Sequence, residues 1–148
     1  MPEAVVDSNV LFGFRSRRDQ WHERATEIVV GMDAGELPRG QVTNYALPAV
    51  LNPLLKAAGY ERAVETLDFL DRSAGFRLRH LSQDDFARGQ VLFRREAGVE
   101  LTDAITVAYM RRMGLQYIYS FDDDFDRFEG VTRLDAAVDP FDAELRDE

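Results

Sequence analysis

Residues 119–128 read YSFDDDFDRF, with Asp122, Asp123, Asp124 and Asp126 crowded directly behind an apolar run. Carboxylates this close repel one another and gain nothing from burial, so the stretch is either a solvated turn or part of a cation site. Two further acids occupy comparable places. Asp7 ends the β-branched run AVVD (4–7), and Asp103 opens the helical pattern DAITVAYMRRM (103–113) behind Thr102. Each has an ordinary explanation on its own. A strand-end aspartate forms turns, and one in a first helical turn gains less than about 1 kcal/mol from the helix dipole. Taken jointly, Asp7, Asp103, Asp122 and Asp124 fall at predicted element ends on one side of one sheet. If the segment after Asp122 stays extended, Asp124 points the same way as Asp122, while Asp123 and Asp126 are solvated. Such a gathering needs a counter-charge, and Mg2+ or Mn2+, which bind oxygen and keep several waters, suit phosphoryl chemistry.

Rival chemistries fail on the same letters. A calcium loop starting at Asp122 needs glycine and glutamate where Arg127 and Arg133 stand. A phosphatase with an aspartyl nucleophile needs a second aspartate where Asn9 follows Asp7 and Ser8. No strand is followed by a glycine-rich phosphate loop. His22 and His80 lack partners at metal-ligand spacing, and the absence of cysteine removes thiolate and disulfide chemistry. The best basic patch is RSRRD (15–19): Arg15, Arg17 and Arg18 read as a solvated loop, with weak RNA-backbone contact as the functional alternative.

The elements that must hold these acids follow from periodicity. AVVD, GQVT (40–43), FRLRHL (76–81), LQYIYSF (115–121) and VTRL (131–134) read as strands. Helices are expected over 21–32, from an Asn44 cap to Gly59 with a kink at Pro53, over 61–73, over 82–96 from a Ser82 cap, and over 103–113 from a Thr102 cap. Strands interleaved with helices predict a three-layer α/β/α sandwich around a mostly parallel four- to five-stranded sheet. One domain is expected over 1–134, followed by a loose acidic tail over 135–148.

The net charge is −9, and Lys56 is the only lysine. An anionic field argues against a DNA-coating protein, but an acidic, lysine-poor surface also suits a halophilic host, where salt screens the repulsion. No run is apolar and long enough to cross a bilayer, and the N-terminal residues resemble no signal peptide, so the expected address is the cytoplasm.

The pieces VVDSNVL, LTDAITVAYMRRMG and IYSFDDDF, in this order and spacing, resemble the PIN-domain nucleases. The resemblance is nearest to the VapC-like toxins of type II toxin–antitoxin pairs and their archaeal relatives. It implies a Mg2+- or Mn2+-dependent endoribonuclease in which Asp7, Asp103 and Asp122 are the catalytic acids. Asp124 would be the variable second acid, with Asn9 and Ser120 in support. It further implies in-line attack by a metal-activated water, 5′-phosphate and 3′-hydroxyl ends, a homodimer, and a cognate antitoxin that inserts a basic residue into the acidic pocket. One family residue is missing: in YALPAVLN, Ala49 stands where the family carries a glutamate, and no acid lies between Thr43 and Gly59. The chain is therefore expected to be impaired, as a natural pseudo-nuclease or, preferentially, as a toxin disarmed at position 49. The alternative is a non-catalytic PIN-like module that binds RNA or protein.

Overall fold

Apolar runs become strands and 3.6-periodic segments become helices around one sheet. In the computed structural model, which describes residues 2–142, β1 (Glu3–Val6) leads into α1 (Ser8–Arg15) and α2 (His22–Asp33). β2 (Arg39–Thr43) leads into α3 (Ala46–Ala58) and α4 (Tyr60–Arg72), and β3 (Phe76–Arg79) into α5 (Gln83–Arg95) and α6 (Leu101–Met113). β4 (Tyr117–Tyr119), a 3-10 turn (Asp123–Arg127) and β5 (Thr132–Leu134) follow. The strand order is β3-β2-β1-β4-β5, and every pairing is parallel.

The period of two along the central strands sorts side chains between two cores. Ala4 and Val6 of β1 face Val10 and Leu11 of α1, Ile28 and Val29 of α2, and Val50 and Leu54 of α3. Val5 and Ile118 face the opposite way, onto Val107, Tyr109 and Met110 of α6 and onto Phe125 and Phe128. This makes the three-layer α/β/α sandwich that the interleaved pattern predicts. Strands covered on both faces have no polar alternation, which is why AVV reads as a continuous apolar run.

Two contacts seat α6, the helix that carries Asp103. A Cβ on Gly89 of α5 would lie 2.6 Å from the Ile105 Cα, so α5 and α6 approach backbone to backbone. Asp85 is fully buried and closes a capping box with Ser82, as the Ser82 cap predicts, while Arg112 of α6 donates to its two oxygens at 2.6 and 2.9 Å. The guanidinium holds the Asp85 carboxyl below the usual carboxylate range.

Several local expectations are corrected. Residues 8–15, to which the sequence pattern assigns no element, form α1, whose single short apolar turn carries too little periodicity to stand out. Asn44 does not cap α3: its side chain accepts from the Leu81 N–H at 2.8 Å, and the Thr43 hydroxyl accepts from Ala46 N at 3.1 Å. Thr102 is not a cap either, because α6 starts at Leu101 with Glu100 at its N-cap. Pro53, by contrast, lies inside α3 as the sequence places it. The 3-10 turn replaces the extended segment expected after Asp122, because Asp122 caps it by accepting from the Asp124 N–H at 2.9 Å. The first part of the tail is not loose. Tyr119 donates to the Val138 carbonyl at 2.5 Å, and the Phe141 ring packs edge-on against Tyr117. Residues 143–148 lie outside the described residues.

Candidate active site

In this sheet the strand order reverses direction between β1 and β4, and ligands of parallel sheets gather beyond the carboxyl ends of strands at such a point. Asp7 follows β1 and Asp122 follows β4, so the two acids flank the reversal. Asp7 is held on three sides. Its N–H donates to the Tyr119 carbonyl at 2.9 Å, one carboxylate oxygen accepts from Ser8 N at 2.8 Å as the N-cap of α1, and the other accepts from the Ser120 hydroxyl at 2.6 Å. The fully buried Ser120 hydroxyl also accepts from the Asp122 N–H at 3.0 Å and from the Asn9 amide at 3.4 Å. Asn9 accepts in turn from Phe121 N at 3.2 Å. Ser120 and Asn9 thus lock the two acid-bearing strand ends together.

Helix α6 brings the third acid. Asp103, in its first turn, is 8% exposed and lines a cavity of about 220 Å3 together with Asp7, Asn9, Ala49, Glu100 and Asp122. A larger cavity of about 540 Å3, between α5 and α6, holds none of these aspartates. Size alone does not mark the chemistry here; converging polar groups do.

The cavity is short of positive charge. Burial pushes the Asp7 carboxyl up, opposed by the hydrogen bonds from Ser120 and Ser8, while Asp122 and Glu100 push it further up. Asp103 is pushed up to about 8, first by burial, then by the charges of Asp7, Asp122 and Glu100 and by a hydrogen bond with Asp122. At neutral pH, without a cation, the raised Asp103 carboxyl therefore keeps its proton. A donor set made of carboxylate oxygens, with a proton standing in for positive charge, fits a hard divalent cation.

Asp7, Asp103, Asp122, Asn9, Ser120 and Ala49 come together; the other candidates divide. Asp124 is absent from the cavity lining, and its carboxylate lies 3.9 Å from the Arg127 guanidinium. Asp122, Asp123 and Asp124 do bring oxygens within 4.8 Å of one another. That trio comes from one short turn in which only Asp123 is fully exposed, whereas the cavity acids come from three separate elements and are the more constrained set. Asp126 pairs with Arg133 at 3.1 Å, so it is not simply solvated. Arg15 ends α1 and is committed to α4, donating to Thr66 at 2.8 Å and Glu65 at 3.2 Å, which corrects its reading as part of a solvated loop. Arg17 and Arg18 are exposed and line no part of the cavity. Glu100 was not expected. Placing the cap at Thr102 hid it, although its spacing of three from Asp103 puts both at one helix start.

The PIN domain family profile matches residues 4–131. No curated protein sequence matches. Among solved structures, VapC20 of Mycobacterium tuberculosis, described as a sarcin–ricin-loop-cleaving toxin, is 24% identical, with 84% of this chain and 93% of that chain covered at a TM-score of 0.71. A toxin–antitoxin complex from Klebsiella pneumoniae is 24% identical over 87% and 95% at 0.61. VapBC2 of Rickettsia felis, bound to promoter DNA, is 8% identical over 89% and 97% at 0.65. At such identities the neighbours show the fold alone, whereas the profile spans most of the sequence. The chain belongs to the PIN-domain family.

Proposed function

We propose that the chain is a Mg2+- or Mn2+-dependent endoribonuclease of the toxin type, acting in the cytoplasm. One observation carries this reading: Asp7, Asp103 and Asp122, from three elements, converge in one cavity where burial and the neighbouring negative charges push the Asp103 carboxyl up to about 8. A bound cation would supply the charge that lets a water ionise and attack a phosphodiester. Asp7, fixed by Ser120 and Ser8, and Asp122, fixed by Ser120, hold that charge at a set place. With a cation bound, Asp103 would give up its proton to solvent and add its charge to the site, while Asn9 keeps the two strand ends in register. Exposed Arg17 and Arg18 are left to meet the RNA backbone outside the cavity. That VapC20 is described as a sarcin–ricin-loop-cleaving toxin supports RNA as the substrate class.

The neighbours solved as toxin–antitoxin complexes support a small antitoxin partner, whose basic side chain would complement the acidic cavity. Exposed Phe86, Val91 and Phe93 of α5 and Leu55 and Tyr60 near the α3–α4 junction suit a homodimer through helical faces. Ala49 puts a methyl group in the cavity wall where the family carries a carboxylate, so activity in this chain is reduced. The same methyl favours a second reading, a PIN-fold module that binds RNA or protein without cutting.

RNA cleavage with Mg2+ or Mn2+ separates the two. The nuclease reading expects Ala49→Glu to raise a metal-dependent activity that Asp7→Asn abolishes. If restoring the glutamate gives no such activity, while RNA or partner binding survives EDTA and Asp122→Asn, the binding module is the correct reading.

A further inference from the structure

The cavity has four carboxylates, not three, and the fourth is not where sequence comparison looks for it. Ala49 reaches the cavity from α3 and Glu100 from the start of α6, so both positions line the same cavity, at its solvent-open side. We propose that Glu100 is the fourth carboxylate of the cation site, supplying from α6 the charge that position 49 lacks. The proposal rests on the metal-dependent reading above.

Three features of Glu100 support it. The residue is the N-cap of α6, a position that favours Ser, Thr, Asn or Asp, and its side chain makes no capping bond. Its presence there is therefore not explained by helix formation. Its carboxylate takes part in none of the ion pairs among the described residues, so nothing diverts its charge from the cavity. Finally, it precedes Asp103 by three positions at a helix N-terminus, where the dipole tolerates a second negative charge beside the first. An acid so placed adds its charge to the aspartates without displacing them. Because it approaches from a different helix than position 49, it preserves the charge of the site but not the geometry. The cation is held while cleavage stays slow.

Direct Mn2+ binding to the purified full chain tests this, read by calorimetry and by the Mn2+ electron paramagnetic resonance signal, so that no cleavage is needed. Glu100 is exposed and unbonded, so Glu100→Gln should fold as the unmutated chain does, checked by circular dichroism. The expected result is an affinity loss of about tenfold or more in Glu100→Gln, the size typical of removing a group that supports a metal site. Adding Ala49→Glu to Glu100→Gln should recover it. If Glu100→Gln binds Mn2+ within about twofold of the unmutated chain while Asp7→Asn does not bind, the role of Glu100 is refuted and the metal reading stands. A tenfold loss that Ala49→Glu fails to recover refutes the exchange between positions 49 and 100. If the unmutated chain binds no Mn2+ at all, the metal reading falls and this proposal with it.

Discussion

Replacing Asp103 by asparagine keeps the shape of a buried side chain and removes its ability to ionise. In the metal-free protein the folded carboxyl takes up its proton near pH 8, against 3.8 for the ordinary group. Between those values the folded state binds more protons than the unfolded one, so the raised carboxyl makes stability fall as pH rises through this window. The slope is about 1.4 kcal/mol per pH unit, which sets a ceiling of about 4 kcal/mol at pH 7. Water entering the cavity screens these charges and reduces the cost to about 1–3 kcal/mol. Asparagine escapes this cost. Asp103→Asn is therefore expected to be more stable than the unmutated chain by that amount at pH 7 in EDTA, with the gap closing towards pH 4. Urea unfolding at a series of pH values measures it. Saturating Mn2+ should narrow or reverse the gap, because it binds and stabilises the folded unmutated protein by mass action. If Asp103→Asn is equally or less stable at pH 7 in EDTA, or if the gap does not change with pH, the electrostatic account of the cavity is wrong.

Ser120→Ala removes the donor to Asp7 and the acceptor for Asp122 N–H in one step, and should cost about 1–3 kcal/mol of stability in urea unfolding. It should also weaken Mn2+ binding, because the Asp7 carboxyl loses the hydrogen bond that most favours its ionised form. Gly89→Ala drives a methyl into the Ile105 backbone and should cost about 1–3 kcal/mol in the same assay. A neutral result there would show that α5 and α6 are not held at the separation described.

The alternation of short apolar runs with amphipathic segments determined the α/β/α class, because strands buried on both faces and helices buried on one leave different periodicities in the chain. The same patterning placed Asp7, Asp103 and Asp122 at element ends. The order of those ends in the sequence, with VVDSNVL, LTDAITVAYMRRMG and IYSFDDDF around them, was enough to suggest the family. Helix α1 was not legible, since an eight-residue helix offers little periodicity. Asp124 was misplaced because an extended segment and a 3-10 turn carry the same letters, and the hydrogen bond from its N–H to Asp122 decides between them. Arg15 looked like part of a free basic patch until α4 supplied Thr66 and Glu65 as partners from far along the chain. Glu100 shows the limit most clearly. Its distance in sequence from Asp7 and Ala49 says nothing of shared space; only the packing of α6 against the sheet and α5, through Val107, Met110, Gly89 and the Arg112–Asp85 pair, brings it to the same cavity. Local composition determined which residues carry charge, and long-range packing decided which of those charges meet.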